Sequence, residues 1–308
     1  MRAVAAALLL LATPVLAAER AVSLDGLHGT LEDAGKGAPA ILILPGSGPT
    51  DRDGNAPPSL HGDTYKLLAQ GLAAKGVTSL RVDKRGIGES RDAAPLETGL
   101  RFKTYADDAR AWAAELRKET GTKCVWLLGH SEGALVAEVA AENPEGACGL
   151  ILVAGAGRKA GDLIRDQIAA NPANPPLVRQ QVDAILNSLE AGKPVRDVPP
   201  YLAALFRPSV QPYMMSWLPL EPAALLSRIT LPMLILQGEN DIQVPLADAK
   251  LLAAAKPGAK LVLLPGVNHI LKAAPTDRAA NMATYADPSL PLAPGVVDAV
   301  ANFVKAQP

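Results

Sequence analysis

The stretch VWLLGHSEGALVAEVAAE, residues 125–142, joins a short apolar run to an alanine-rich segment through the pentapeptide GHSEG. The apolar run predicts a buried strand, and the segment after the pentapeptide predicts a helix that stops near Pro144. A Gly-x-Ser-x-Gly turn between a strand and a helix holds its serine hydroxyl above the edge of a sheet. The pattern therefore predicts that Ser131 is a nucleophile, although the pentapeptide is weak evidence unless partners for the serine are found.

Short apolar runs and helical stretches alternate along most of the chain. This alternation predicts an α/β fold with a mostly parallel eight-stranded sheet and helices on both faces. The predicted strands are an opening pair within 21–31 and single strands at 40–44, 77–82, 125–128, 150–153, 232–237 and 260–264. The predicted helices cover residues 65–75, 105–120, 132–142 and 247–255.

The alternation stops between residues 158 and 230, a stretch without strands and rich in proline, glutamine and helical fragments. An insertion of this length is usually functional. We expect a helical cap at 158–230, inserted after the sixth strand into a core made of 18–157 and 231–308. The cap holds many of the few large apolar side chains, and two explanations for them stay open: a substrate pocket under the cap, or the cap's own core. The predicted pocket residues are Gly48, Phe206, Tyr213, Met214 and Trp217.

A serine nucleophile needs a base, and the chain has only four histidines. His28 lies near the N-terminal strands, His61 follows a loop, and His130 adjoins Ser131, so that its side chain should point away from the hydroxyl. His269 comes just past the last predicted strand, where a loop can return an imidazole to Ser131. We therefore predict His269 as the base, by position and by elimination.

The base needs a carboxylate, and the oxyanion of the reaction needs N–H donors. Asp241 follows the strand at 232–237, which gives the chain order Ser, Asp, His. Glu239 is the competing acid but lies closer to the strand end. For the oxyanion hole we predict the backbone N–H groups of Glu132 and Ser47, with Gly48 as an alternative to Ser47.

These residues resemble the triad of the α/β-hydrolase superfamily over nearly the whole chain. The segment RVDKRGIGES, residues 81–90, resembles a turn motif of that superfamily. The segment GSGPTDRDGN, residues 46–55, is similar to exported bacterial esterase-like members related to the serine aminopeptidase and dienelactone hydrolase-like group. The resemblance implies the α/β-hydrolase fold with a cap over the site. One departure is Pro45, which stands where many members have a histidine before the oxyanion glycine.

The N-terminus is typical of a secretory signal peptide. Arg2 precedes an apolar run that is shorter than the roughly 20 residues of a membrane span, and small residues follow it. We predict a signal peptide at 1–17, cut after Ala17 or Ala18, and a periplasmic or secreted protein without stable membrane insertion; an uncleaved anchor is the alternative. Cys124 and Cys148 then form a disulfide, or remain as buried thiols.

The sequence as a whole predicts a serine hydrolase that cleaves carboxylic esters of small molecules through an acyl-enzyme. Alternatives are a serine aminopeptidase, another amide or thioester hydrolase, and a non-catalytic binding protein of the same fold. With 30 basic and 31 acidic residues and no basic run, the chain is not expected to bind nucleic acid. No cofactor and no metal is expected, because no cluster of His, Cys and carboxylate residues has ligand spacing. The sequence leaves the oligomeric state open.

Overall fold

A computed structural model describes residues 18–307, so the predicted signal peptide lies outside the described residues. An eight-stranded sheet has the order β1-β2-β6-β3-β7-β8-β9-β10. The β1–β2 and β2–β6 pairs are antiparallel and the other pairs are parallel, so the sheet is mostly parallel, as predicted. The strands are β1 Ala18–Leu24, β2 Leu27–Asp33, β3 Ala40–Leu44, β6 Thr78–Val82, β7 Val125–His130, β8 Ala147–Val153, β9 Met233–Gly238 and β10 Lys260–Leu264. A separate two-stranded ribbon consists of β4 Asn55–Ala56 and β5 Leu60–His61.

Helices cover both faces of the sheet, because its central strands are apolar on both sides. In β3, Leu42 and Leu44 belong to one apolar core, while Ile41 and Ile43 belong to the other, as expected for side chains that alternate along a strand. Helices α1 and α11 pack on the second of these cores, and α2, α3 and α9 on the first. The core helices are α1 Thr64–Ala74, α2 Phe102–Thr120, α3 Glu132–Ala140, α9 Leu246–Ala255, α10 Arg278–Ala283 and α11 Val296–Lys305.

The insertion after the sixth strand of the sheet, β8, is helical, as the sequence predicts. Its helices are α4 Ala160–Ala170, α5 Pro176–Glu190, α6 Ala203–Phe206, α7 Gln211–Trp217 and α8 Pro222–Arg228. Helix α7 packs on α2 of the core, where the ring of Trp217 stacks on that of Phe102 with 6.1 Å between centroids. The backbone N–H of Phe102 also donates to Ser216 Oγ at 2.8 Å. The cap is therefore attached to the core through both apolar and polar contacts.

Some boundaries differ from the sequence prediction. The first strand begins at Ala18, and α2 begins at Phe102, whose ring is buried against the cap. Helix α11 was not predicted, although Val296, Val300 and Val304 place one apolar side chain on each turn of its buried face. Its start follows a stretch rich in proline and glycine, a composition that resembles a loop. No helix among residues 18–307 is long and apolar enough to cross a membrane.

Cys124 and Cys148 form a disulfide, so the alternative of two buried thiols does not hold. Their Cα atoms are 5.1 Å apart. The bond is possible because β7 and β8 are parallel neighbours, and the two cysteines lie near the same end of each strand. It links the strand that carries the Ser131 turn to the last strand before the cap.

Glu138 is an unusual member of the apolar core. It is fully buried in α3, and neither carboxyl oxygen has a hydrogen-bond partner among the described residues. Burial raises the pKa of Glu138 well above its ordinary value. As the pH rises above the ordinary pKa, the unfolded chain loses this proton before the folded chain does. Stability therefore decreases as the pH rises from the ordinary pKa of glutamate toward the raised one.

We expect Glu138→Met to raise the free energy of unfolding at pH 8 by about 1–3 kcal/mol, the cost of an unpaired buried polar group. The gain should be smaller at pH 4, where the carboxyl is protonated in both states. Urea denaturation at the two pH values measures it, with Glu145→Met at an exposed turn as the control. An equal gain at both pH values would show that packing, not ionisation, is responsible.

Candidate active site

Ser131 occupies a strained turn between β7 and α3. Its φ is 56° and its ψ is −121°, a backbone conformation that residues other than glycine rarely adopt. The backbone N–H of Ser131 donates to Val153 O at 2.8 Å, and its carbonyl accepts from the N–H of Ala134 at 3.0 Å. The neighbouring strand and the first turn of the helix thus hold the strained residue in place. Its side chain remains partly exposed and faces a cavity.

The two glycines of the pentapeptide are required by close backbone contacts. A Cβ on Gly129 would lie 2.0 Å from the carbonyl oxygen of Gly133. A Cβ on Gly133 would lie 2.4 Å from the carbonyl oxygen of Leu44 at the end of β3. Helix α3 can therefore approach both its own strand and the neighbouring strand only because these side chains are absent.

His269 and Asp241 are hydrogen-bonded to each other. His269 Nδ1 donates to Asp241 Oδ2 at 2.8 Å, which leaves Nε2 as the nitrogen able to accept a proton. The other carboxylate oxygen, Oδ1, accepts the backbone N–H groups of Gln243 and Val244 at 2.8 and 2.9 Å. Both Asp241 and His269 are buried, whereas the competing acid Glu239 is exposed.

The hydrogen bonds among residues 18–307 do not include one between the Ser131 hydroxyl and His269. In unliganded enzymes the bond between nucleophile and base is often long and tightens when substrate binds. The backbones of the two residues are nevertheless tied together through His130. Its Nε2 lies 2.8 Å from the carbonyl oxygen of His269, and the two imidazole centroids are 4.8 Å apart.

His130 is a structural residue, consistent with the sequence prediction that it points away from the hydroxyl. Because a carbonyl oxygen only accepts, His130 carries its proton on Nε2 and accepts on Nδ1. The hydroxyl of Tyr65 donates to that Nδ1 at 2.8 Å, and the Tyr65 oxygen accepts the Gly46 backbone N–H at 3.0 Å. Burial, with a smaller effect of His269, lowers the pKa of His130 to about 3, so the ring stays neutral. We call the chain Gly46–Tyr65–His130–His269 the buried relay.

The predicted oxyanion donors lie on either side of Ser131. Glu132 is the first residue of α3, where the backbone N–H has no partner within the helix. Ser47 and Gly48 follow β3 and line the same cavity as Ser131. A Cβ on Gly46 would come within 3.2 Å of Ser131 Cβ, so this loop packs directly against the turn that carries Ser131. The structure thus brings both candidate donors to the edge of the sheet where Ser131 lies.

A cavity of about 720 Å³ lies between the cap and the carboxyl ends of the strands, next to Ser131. Gly48, Tyr213, Met214 and Trp217 line it, and each was predicted as a pocket residue. Phe206 was predicted there as well, but it does not line this cavity. Its ring is fully buried in the apolar core, where short helix α6 packs into the cap. The large apolar residues of the cap therefore include both pocket and core residues.

Most charged side chains of the cavity wall are paired. Arg85 contacts Asp108 at 2.6 Å, Arg158 contacts Asp248 at 3.2 Å, and Arg207 forms an ion pair with Glu97.

Glu132 is buried in the cavity wall too, and burial raises the pKa of its carboxyl while the charge of Lys84 lowers it. Within 18–307, no group of three or more His, Cys, Asp or Glu side chains is placed to hold a metal ion.

Sequence reasoning missed two residues of this region. Tyr65 was seen only as part of a helix, and its contact with His130 spans 65 positions of the chain. Lys84 lies within the segment 81–90, but the sequence alone predicts no role for it. Its amino group donates to the carbonyl oxygens of Gly46 and Gly48. The motif could have drawn attention to Lys84, whereas no local pattern indicates Tyr65.

Residues 41–284 match the model of the alpha/beta hydrolase family, which is most of the chain. The chain therefore belongs to this family, in agreement with the sheet order, the Ser131 turn and the inserted cap.

A curated relative is Esterase EstD of Thermotoga maritima, 28% identical over 258 residues. The match covers 82% of this chain but only 60% of that esterase. Among solved structures, Est1E from Butyrivibrio proteoclasticus with ferulic acid bound has a TM-score of 0.59 at 17% identity, covering 94% of this chain and 98% of that one. A thermophilic esterase from Thermogutta terrifontis has a TM-score of 0.52 at 19% identity, covering 82% and 92%. At these identities the structural likeness concerns the fold.

We expect Tyr65→Phe to destabilise the protein by about 2 kcal/mol or more. The change leaves the Gly46 N–H and His130 Nδ1 buried without partners, and each such group costs about 1–3 kcal/mol. Urea denaturation measures the loss, and amide hydrogen exchange at Gly46 should become faster. Tyr201→Phe, at an exposed cap position, is the control. Unchanged stability and unchanged Gly46 exchange would contradict the buried relay.

Proposed function

We propose that the protein is a serine hydrolase that cleaves carboxylic esters through an acyl-enzyme on Ser131. The observation that carries the proposal is the hydrogen-bonded pair of His269 and Asp241 beside a strained serine turn that opens into a cavity. A serine hydroxyl is a weak nucleophile until a neighbouring base removes its proton. A binding protein would have no need for the strained turn or for an imidazole held in one tautomer.

In the proposed reaction, Ser131 Oγ attacks the ester carbonyl carbon and its proton moves to His269 Nε2. Asp241 keeps the proton of His269 on Nδ1 and stabilises the imidazolium that forms. The carbonyl oxygen becomes an oxyanion, which accepts the N–H groups of Glu132 and Ser47. His269 then gives its proton to the leaving alcohol. A water molecule, activated by the same imidazole, hydrolyses the acyl-enzyme and restores Ser131.

We assign the cavity to an apolar acyl or alcohol group of a small-molecule ester. Side chains from the cap and the core supply the apolar wall, and the charged residues there are mostly neutralised by partners. The apolar lining includes Leu100, Leu135, Ile164, Val210, Met214 and Trp217. The similarity to Esterase EstD of Thermotoga maritima supports ester cleavage.

The aminopeptidase alternative requires a cap carboxylate that binds a free α-amino group. The two cap glutamates are already paired, Glu190 with Arg165 at 2.8 Å and Glu221 with Lys159 at 2.9 Å. Neither residue lines the cavity, and none of the aspartates of 158–230 lines it either. Ester cleavage is therefore the function that the geometry supports best.

We expect Ser131→Ala to lower kcat for p-nitrophenyl esters by about 10⁴-fold or more, because the nucleophile is removed. A fluorophosphonate probe should label the wild type at Ser131 and leave the variant unlabelled. Ser227→Ala, an exposed position of α8, is the control for both measurements. Labelling that persists in Ser131→Ala would place the nucleophile elsewhere.

A substrate panel separates ester from peptide cleavage. Hydrolysis of p-nitrophenyl esters of increasing acyl length is compared with that of aminoacyl anilides. Faster turnover of the anilides would overturn the esterase proposal in favour of an aminopeptidase. Absence of turnover on every substrate, together with absence of labelling, would favour the non-catalytic binding protein.

We further propose that the protein is exported to the periplasm or secreted after removal of residues 1–17. The apolar N-terminal run and the disulfide between Cys124 and Cys148 support this, because disulfides persist in oxidising compartments. Intact-mass analysis of protein from expressing bacteria should find an N-terminus at Ala18 or Glu19 in the exported fraction. Full-length protein retained in the membrane would favour the uncleaved anchor.

A further inference from the structure

Lys84 follows β6 and places its amino group under the loop that carries Ser47. Nζ donates to the carbonyl oxygen of Gly46 at 2.5 Å and to that of Gly48 at 2.8 Å. The side chain is 9% exposed, and of the two bonds the one to Gly46 is the more buried, while the one to Gly48 lies at the cavity surface. One ammonium group thus holds the carbonyl oxygens on the two sides of Ser47.

The first of these carbonyls shares a peptide group with the proposed oxyanion donor. The C=O of Gly46 and the N–H of Ser47 belong to one planar trans peptide, so they point in opposite directions. A cation that fixes the oxygen therefore also fixes the direction of the N–H. It also polarises the amide, which strengthens the N–H as a donor.

The surroundings of Lys84 match such a positioning role. Glu132 Oε1 lies 3.9 Å from Nζ, and the ring of Tyr105 has its centroid 5.7 Å away. Burial lowers the pKa of Lys84, while the charge of Glu132 acts in the opposite direction. Because Glu132 also offers the other proposed oxyanion N–H, Lys84 contacts residues from both sides of the proposed oxyanion hole.

The loop needs support from outside because its own sequence provides little. Pro45 has no N–H to donate, and Gly46 has no side chain. Gly46 cannot gain one without crowding, since its Cβ would lie 3.2 Å from Ser131 Cβ. Tyr65 accepts the Gly46 N–H and Lys84 binds the Gly46 carbonyl. Both polar groups of this glycine are therefore held by side chains from other elements.

We infer that Lys84 is the positioning residue of the oxyanion hole, which it orients by holding the Gly46 and Gly48 carbonyls so that the Ser47 N–H meets the developing oxyanion. The inference rests on the proposed function. It gives Lys84 a role in stabilising the transition state rather than in binding the substrate. A lysine that instead bound a substrate carboxylate would affect KM, and only for substrates that carry that charge.

The decisive experiment replaces Lys84 by methionine, which keeps an unbranched side chain one atom shorter and removes the charge and the donors. For a neutral p-nitrophenyl ester, Lys84→Met should lower kcat about 10- to 100-fold and leave KM within about twofold. A trifluoromethyl ketone of the same acyl group, which forms an oxyanion on Ser131, should lose affinity by a similar factor. The matching secondary alcohol, which forms none, should bind as before.

Further variants separate positioning from general damage. Lys84→Arg keeps the charge and more than one donor, and should recover most of kcat. Lys84→Gln keeps a donor without the charge, so its kcat should lie between that of Lys84→Met and that of the wild type. This variant remains informative if Lys84→Met does not fold. Lys103→Met, an exposed lysine of α2, is the control. Circular dichroism and urea midpoints verify that each variant is folded.

Two results would overturn the inference: folded Lys84 variants with unchanged kcat and ketone affinity, or a defect confined to KM of carboxylate-bearing esters. A wild type inactive on all esters would instead refute the proposed function, so the two failures are distinguishable.

Discussion

The single tautomer of His130 is the constraint on which the rest of the site depends. Its Nε2–H donates to the His269 carbonyl, so Nδ1 can only accept a hydrogen bond. The Tyr65 hydroxyl therefore donates to Nδ1, and its oxygen accepts the Gly46 N–H. Every hydrogen bond in the buried relay therefore has one direction. Burial keeps the ring neutral by lowering the pKa of His130 to about 3. A second ring proton would remove the acceptor on which Tyr65 depends.

The buried relay joins three loops that begin at different strands of one sheet edge. The loop after β3 carries the proposed oxyanion donor, the turn after β7 carries the proposed nucleophile, and the loop after β10 carries the proposed base. Ser131 is strained at its φ of 56°, and such a residue persists only when its surroundings determine it from several sides. Here the hydrogen bond from the Ser131 N–H to the Val153 carbonyl, the close contact at Gly46 and the neighbouring His130 provide that restraint.

The sequence predicts those features of the fold and the site that local patterns and strand ends determine. Parallel strands meet at one edge with their carboxyl ends, so the sequence alone places Ser131, Asp241 and His269 at the same edge of the sheet. Tyr65 and Lys84 could not, because their partners lie 65 and 38 positions away and depend on how loops pack. Phe206 shows the same limit. A large apolar side chain fits a pocket or a core equally, and only the packing of α6 decides which of the two Phe206 occupies. The disulfide depended on β7 and β8 being neighbours, which the sequence left open.

Pro45 also gains a physical explanation from the structure. With Pro45 in place of a histidine, the loop lacks the N–H of that residue and a side chain that could brace it, but it keeps the N–H groups of Gly46, Ser47 and Gly48. Tyr65 and Lys84 take hold of the N–H and the carbonyl of the next residue, Gly46, from α1 and from the turn after β6. One peptide group is thereby fixed at both ends by residues remote in sequence. In this chain the proposed oxyanion loop is therefore positioned by α1 and by the turn after β6.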